Sequence, residues 1–223
     1  MISYVSDLFK GLLDLVYPPL CEICEAKLES KTKNSGLCGN CLNEIKLINN
    51  PTPLKCNDLN VWAVCLYEGT AKKCIHLFKY NSRLNLAAPL SKLMFDFINK
   101  NMGCKNFDAI IPVPLHRSRL RERGFNQAEV LARKLSGYTR HSVCTNALKR
   151  VKPTLSQTGL CKTKRFTNLQ GAFKITKGGF VSGKKILLID DVFTTGSTIN
   201  EAAKTLLKAG AESVEALVLA RGI

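Results

Sequence analysis

The chain has 223 residues, 45% of them hydrophobic, which is enough for one sizeable core and a small additional module. Its formal net charge is +16, from 33 Lys and Arg against 17 Asp and Glu, and this excess indicates a polyanionic substrate or partner. The first twenty residues lack a basic start and a small-residue cleavage site and include three charged residues. We therefore expect neither a signal peptide nor a membrane-spanning helix, and a cytoplasmic location.

Residues 1–19 form the first predicted unit, an N-terminal amphipathic helix. Apolar residues recur at helical spacing over 3–17, and two prolines follow. We expect this helix to pack against the cysteine-containing segment that comes next. Because Lys10 is its only basic residue, attraction to anionic lipids would be small, so weak association with a membrane surface is only an alternative role.

The second predicted unit, residues 20–60, contains two Cys-x-x-Cys pairs. Its four paired cysteines are Cys21, Cys24, Cys38 and Cys41. Without an export signal, this spacing indicates metal binding rather than disulfides. Four thiolates satisfy tetrahedral Zn²⁺ and leave no open coordination position, so the predicted role of the metal is structural. Iron–sulfur ligation and metal-free thiols are the alternatives.

The largest predicted unit, residues 61–223, follows a Pro- and Asn-rich linker predicted over 42–60. Its strands are predicted at 62–67, 107–114, 143–149, 185–189 and 213–220. Its helices are predicted at 70–80, 84–100, 126–136 and 198–209. The stretch 151–170 is polar and irregular. Strands that alternate with helices predict an α/β fold with a parallel sheet flanked by helices, in which ligands bind beyond the carboxyl ends of the strands.

The segment KKILLIDDVFTTGSTI ends a buried strand with two adjacent carboxylates, Asp190 and Asp191. Immediately after them comes a predicted turn into a helix, where backbone N–H groups and hydroxyls would form a cradle for a phosphate. This phosphate cradle consists of Thr194, Thr195, Gly196, Ser197 and Thr198. Two carboxylates beside a phosphate site suit a ligand with vicinal hydroxyls, such as a ribose 5-phosphate, and they can hold Mg²⁺.

An NTPase is a competing interpretation, because residues 178–185 imitate the GxxxxGK pattern of a P-loop. In a P-loop, Ser or Thr follows the lysine, and the motif lies between a strand and a helix. Here Lys185 occupies the hydroxyl position and a predicted strand follows. We interpret this match as accidental.

DDVFTTGST resembles the phosphoribosyl pyrophosphate (PRPP) signature of the type I phosphoribosyltransferases. The chain as a whole resembles the ComF/GntX family, amidophosphoribosyltransferase-like proteins linked to competence and DNA uptake. The matching stretches include YPPLCEIC, LCGNC, HLFKYNSR, IPVPLHRSRLRERGFNQAEVLA, RVKPTLSQTGL and RFTNLQGAF. This resemblance implies a type I phosphoribosyltransferase-like parallel sheet with a small N-terminal zinc module. It also implies that Asp190 and Asp191 are the catalytic acids, which hold the ribose of magnesium-bound PRPP.

The resemblance further implies where the diphosphate of PRPP binds. The loop after the strand at 107–114 is the expected site, and a guanidinium suits phosphate oxygens well. Candidate contacts there are Arg117, Arg119, Arg121 and Arg123; a solvated basic face is the alternative. Residues 150–170, here called the hood, are expected to close over PRPP. Its candidate contacts are Thr154, Gln157, Arg165 and Asn168. Lys79, in HLFKY, is a further candidate, with a plain surface lysine as the alternative.

Two hypotheses about function remain open from the sequence. One is a phosphoribosyltransferase with an unknown acceptor. The other is a catalytically silent, PRPP-sensing factor that binds single-stranded DNA and other competence proteins. Residues 115–165 carry 13 Lys and Arg against two acids, which suits DNA. However, Trp62 is the single tryptophan, and no alternating basic and aromatic pattern for base stacking is evident.

Overall fold

The computed structural model describes residues 18–29, 32–103, 107–153 and 170–222. The predicted helix over 3–17 lies outside these ranges, as do the predicted hood contacts Thr154, Gln157, Arg165 and Asn168. Within the described ranges, no helix has the length and apolar character that crossing a bilayer requires.

The described residues form eight strands and seven α-helices. The strands are β1 (Leu54–Cys56), β2 (Leu59–Leu66), β3 (Ala109–Pro112), β4 (Ser142–Val143), β5 (Leu148–Arg150), β6 (Phe173–Ile175), β7 (Lys185–Phe193) and β8 (Ser213–Arg221). The α-helices are α1 (Gly39–Asn43), α2 (Gly69–Tyr80), α3 (Ala87–Phe97), α4 (Arg117–Arg123), α5 (Gln127–Thr139), α6 (Gly178–Val181) and α7 (Ser197–Lys208). A 3₁₀ turn, Leu84–Leu86, precedes α3, and a π-helical turn, Ile98–Met102, follows it.

Six strands form the main sheet in the order β1-β2-β8-β7-β3-β4. Five neighbouring strands of this sheet are parallel to one another: β2, β8, β7, β3 and β4. At one edge, β1 pairs antiparallel with β2. The central strands β7 and β8 are near-continuous apolar runs, as expected for parallel strands covered on both faces. Strands β5 and β6 form a separate antiparallel pair.

Side chains of β7 alternate between two hydrophobic layers. Leu187 and Ile189 pack into the layer that α2, α3 and α5 form on one face of the sheet. Ile186 and Leu188 pack into the layer on the other face, which includes residues of α7, β5 and β6. This alternation decides which neighbours each acidic residue at the end of β7 meets.

Several predicted elements differ from the observed ones. The strand predicted at 143–149 is instead two strands in different sheets, because a turn at 145–147 separates β4 from β5. The predicted linker 42–60 contains β1. After β1 the chain turns back, with Asn57 at positive φ in the turn, and β2 then pairs antiparallel with β1. Strand β7 continues four residues beyond its predicted end, because Asp190 to Phe193 still pair with β8.

The cysteine-containing segment packs onto the large domain through a shared core. Leu28, Leu37 and Ile45 are buried in the same layer as residues of α2. At the edge of this contact, the Glu22 carboxylate pairs with Arg83 at 3.2 Å and accepts a hydrogen bond from Asn85 at 2.8 Å. The segment therefore packs against α2 and against the residues that directly follow it.

Candidate functional site

Asp190 and Asp191 lie near the carboxyl end of β7, the edge at which a parallel sheet presents groups to ligands. Because neighbouring strand side chains point to opposite faces, Asp191 shares the face of Ile189, beneath α2, and Asp190 shares the face of Leu188. Asp191 is only 8% exposed, and its backbone N–H donates to the Asp190 carboxylate at 2.9 Å. The two acids therefore have different surroundings despite being adjacent.

Lys79, near the end of α2, reaches the Asp191 carboxylate. Its Nζ lies 2.8 Å from Asp191 Oδ1, and the two side chains are 16% and 11% exposed. Burial acts to lower the pKa of Lys79, but the charge of Asp191, its hydrogen bond and the charge of Asp190 outweigh burial and raise that pKa above its ordinary value. Lys79 is therefore charged at neutral pH, directly beside the acid pair.

Asp190 has an unusual protonation equilibrium. Burial, together with the negative charge of Asp191, raises the pKa of Asp190 to about 7. The Asp191 N–H and the charges of Lys79 and Arg150 act in the opposite direction without cancelling this effect. A ligand that supplies hydroxyl donors or positive charge would therefore stabilise the ionised form of Asp190.

Arg150, the last residue of β5, is a site residue that the sequence analysis did not single out. Its charge acts on Asp190, and its guanidinium lies over the Phe173 ring at 5.7 Å. Burial lowers the pKa of Arg150, Asp190 acts to raise it, and the nearby charge of Arg119 lowers it further. The only available signal was its position as the first residue of the RVKPT stretch and of the hood.

The phosphate cradle begins directly after β7. Gly196 has φ +73° and precedes the first residue of α7, whose first N–H groups have no partner within the helix. A Cβ at Gly196 would lie 2.7 Å from both the Cys56 Sγ and the Phe193 ring, so both the conformation and the space require glycine. The hydroxyls of Thr195 and Ser197 are 3.0 Å apart. Thr194 is exposed and Thr198 is partly exposed.

Helix α4 divides the four arginines predicted to hold the diphosphate. Residues four apart share a helix face, so Arg119 and Arg123 lie on one side and Arg117 and Arg121 on the other. The charge of Arg123 acts on Lys79, and that of Arg119 acts on Arg150. Both Arg117 and Arg121 are exposed. The structure therefore brings Arg119 and Arg123 toward the acid pair and leaves the other two facing solvent.

The four paired cysteines form a compact cluster. Their Sγ atoms all lie within 4.8 Å of one another, close to the sulfur–sulfur separation of about 3.8 Å that tetrahedral zinc with Zn–S bonds of about 2.3 Å requires. The backbone N–H groups of Cys38 and Cys41 point at Cys21 Sγ and Cys38 Sγ, each at 3.5 Å. The cluster can hold a metal such as zinc, and its donor set is all sulfur.

Comparison with known proteins identifies the family. Residues 104–223 match the phosphoribosyl transferase domain, and the chain is 33% identical over 208 residues to competence protein F of Haemophilus influenzae, covering 91% of this chain and 85% of that one. The chain belongs to the ComF family. It is also 33% identical over 187 residues to the DNA utilization protein YhgH of Shigella flexneri, covering 82% of this chain and 77% of that one. Competence protein ComFC of Bacillus subtilis is 30% identical over 181 residues, covering 74% and 72%.

These matches confirm the predicted fold class, a type I phosphoribosyltransferase-like α/β sheet with a small four-cysteine module. In this ComF-family chain, the carboxyl edge of the sheet brings Lys79, Asp190 and Asp191 together, next to the phosphate cradle. Gln157 and Arg165 belong to the hood and lie outside the described residues.

Proposed function

We propose that this ComF-family protein binds magnesium-bound PRPP at the β7–α7 junction and transfers its phosphoribosyl group in the cytoplasm, as part of DNA uptake. The observation that most supports this proposal is the close succession of candidate ligand-binding groups from the end of β7 to the start of α7. It combines an acid pair, one member of which has a pKa of about 7, with a glycine-headed helix start. The names of the relatives, competence protein and DNA utilization protein, support the biological context.

The proposed reaction breaks the bond between the anomeric carbon and the diphosphate oxygen and forms a bond from that carbon to the acceptor. Asp190 and Asp191 would accept hydrogen bonds from the ribose hydroxyls, and the cradle would bind the 5-phosphate. Arg119, Arg123 and Lys79 would bind the diphosphate as it leaves. The carboxylates of Asp190 and Asp191 would also hold Mg²⁺, directly or through water, and this ion supplies positive charge to the departing diphosphate.

The binding claim can be tested by calorimetry with PRPP and Mg²⁺. We expect Asp190→Asn and Asp191→Asn each to weaken PRPP binding at least about tenfold, because each removes a charged acceptor for the ribose or the metal. Asp96→Asn is a matched control, since Asp96 is an exposed acid paired with Lys92 on α3. Unchanged affinity in both site variants would contradict the proposal.

The transfer claim needs a separate assay. The protein is incubated with PRPP, Mg²⁺ and pools of metabolites or single-stranded DNA, and pyrophosphate is measured. We expect release only when an acceptor is present. PRPP binding with no release from any pool would instead favour a PRPP-sensing role.

A second candidate function, binding of single-stranded DNA, is supported by the outer face of α4. Arg117 and Arg121 are exposed there, on a chain of net charge +16. We expect DNA affinity to fall steeply with salt, and the slope to become shallower in the double variant Arg117→Gln/Arg121→Gln. A flat salt response would exclude this role. Other competence proteins are further proposed partners, and Zn²⁺ is the metal we propose for the four cysteines.

A further inference from the structure

We infer that Gln127 is a positioning residue that fixes Arg123 and Lys79 as a joint binding element for the diphosphate of PRPP. This inference rests on the proposed function, and it assigns a role to a residue that does not itself touch the ligand.

Gln127 is a buried polar residue with both ends of its amide in use. It is 1% exposed and is the first residue of α5. Its Oε1 accepts a hydrogen bond from Arg123 Nη1 at 3.1 Å, and its Nε2 donates to the Lys79 carbonyl at 3.5 Å. One side chain thus joins the two cationic residues, which come from different helices.

The two contacts act on different parts of those residues. The Lys79 carbonyl belongs to the last turn of α2, where carbonyls lack partners within the helix, so Gln127 satisfies it and fixes the backbone that carries the ammonium group. The Arg123 contact instead fixes the guanidinium. Lys79 Nζ remains on Asp191 at 2.8 Å, so the chain of contacts from Arg123 to the acid pair is continuous.

Tyr80 completes the placement of Arg123 from the solvent side. The Arg123 guanidinium lies 5.1 Å from the Tyr80 ring centre, and Nη2 lies 3.5 Å from the Tyr80 hydroxyl. Arg123 Nε is buried without a hydrogen-bond partner among the described residues. The contacts with Gln127 and Tyr80 restrict the guanidinium and use one N–H each of Nη1 and Nη2, which leaves the second N–H of both nitrogens for an anion.

A polar amide is costly at a buried position unless its hydrogen bonds are satisfied, and an apolar side chain could pack there without them. Arginine is effective at binding phosphates because its planar donors are preorganised, and a side chain that must be ordered on binding loses affinity. Holding Arg123 and the Lys79 backbone in advance would therefore increase affinity for the diphosphate specifically. The ribose and 5-phosphate contacts on β7 and α7 would not depend on Gln127.

The test compares three ligands by calorimetry: PRPP with Mg²⁺, inorganic pyrophosphate with Mg²⁺, and ribose 5-phosphate. We expect Gln127→Met to weaken PRPP and pyrophosphate binding about tenfold and to leave ribose 5-phosphate binding within about twofold. Arg133→Gln, at an exposed arginine of α5 that pairs with Glu129, is the matched control and should change none of the three affinities. Tyr80→Leu alters an exposed residue and should weaken pyrophosphate binding about threefold.

A double-mutant cycle tests whether Gln127 acts through Arg123. In an Arg123→Gln background, Gln127→Met should have little further effect on pyrophosphate affinity. If Gln127→Met does not fold, Gln127→Asn, which keeps a buried amide but shortens its reach by one methylene group, takes its place in the same comparison.

Equal losses for ribose 5-phosphate and pyrophosphate would show a merely structural role and overturn the inference. Unchanged pyrophosphate affinity in Gln127→Met would overturn it as well. A wild-type protein that binds PRPP and ribose 5-phosphate but not pyrophosphate would overturn the inference but not the proposed function. A wild-type protein that binds none of the three ligands would overturn both.

Discussion

Asp190 and Asp191 are neighbours in sequence, yet the strand gives each its own set of partners. Asp191 faces α2 and pairs with Lys79, while Asp190 faces the side on which the charge of Arg150 acts. One acid thereby has a direct cation as its partner, whereas the pKa of the other, Asp190, is raised to about 7. This difference predicts distinct behaviour when either residue is replaced.

The Lys79–Asp191 pair should contribute to the stability of the ligand-free protein. We expect Lys79→Met to lower the free energy of unfolding by about 2 kcal/mol, because it leaves the Asp191 carboxylate partly buried without its direct cation. The double variant Lys79→Met/Asp191→Asn should recover most of this loss. Denaturant unfolding measures both values. A double variant less stable than Lys79→Met would contradict the proposed cause.

The raised pKa of Asp190 predicts a pH-dependent effect on stability. Between an ordinary carboxyl pKa of 3.8 and the value of about 7 in the folded protein, the folded state holds a proton that the unfolded chain releases. Stability from this residue is therefore present at low pH and is lost as pH rises toward 7.

Asp190→Asn should remove this dependence in the ligand-free protein. We expect the variant to gain stability over wild type by up to about 3 kcal/mol more at pH 8 than at pH 5, because each unit of pKa shift corresponds to about 1.36 kcal/mol. Thermal unfolding at the two pH values measures the difference, with Asp96→Asn as control. An equal effect of Asp190→Asn at both pH values would show that Asp190 titrates normally.

At the level of elements, the β7–α7 junction depends on the conformation of Gly196. We expect Gly196→Ala to destabilise the protein by about 1–3 kcal/mol, because it adds both positive-φ strain and a contact with Cys56 and Phe193. Gly183→Ala is the matched control, since Gly183 has φ +69° but open space around its Cβ position. If the two variants unfold at the same denaturant concentration, the steric part of this explanation is wrong.

The elements that the sequence predicted well are those whose signal is local. The apolar run before Asp190 and the glycine after the two threonines predict the strand that ends near the acids and the helix that starts at Ser197, because strand, turn and helix start follow from adjacent residues. Helix α4 was not anticipated. Its alternating arginines suggest no apolar face, and none of its residues is buried. The division of those arginines into two faces was therefore not predictable from the sequence.

Contacts between segments far apart in the chain could not be predicted from the sequence either. Arg150 and Gln127 gain their roles from residues 40 and 48 positions away, Asp190 and Lys79, which only the sheet order brings close. Likewise, β1 was hidden in a Pro- and Asn-rich stretch, because its pairing with β2 depends on a tight turn rather than on an apolar pattern.

At the scale of the whole molecule, the four-cysteine module and the large domain share one core. The module supports α2, and α2 carries Lys79 to the acid pair. Metal binding at the cysteines should therefore influence a site that contains no cysteine ligand.

Loss of the metal should lower both stability and PRPP affinity. We expect metal analysis to return about one zinc per wild-type chain and almost none in Cys24→Ser, with a lower unfolding temperature and weaker PRPP binding in the variant. Cys56→Ser is the control for metal content, because Cys56 lies outside the cluster. A wild-type protein that is folded but metal-free would exclude the zinc assignment.

The central claim is that the β7–α7 junction binds an activated, phosphorylated ribose. A crystal structure of the protein soaked with Mg²⁺ and PRPP tests it most directly. We predict the ribose hydroxyls within hydrogen-bond distance of Asp190 and Asp191, and the 5-phosphate against residues 194–198. Density for PRPP elsewhere, with these residues empty of ligand, would contradict the account.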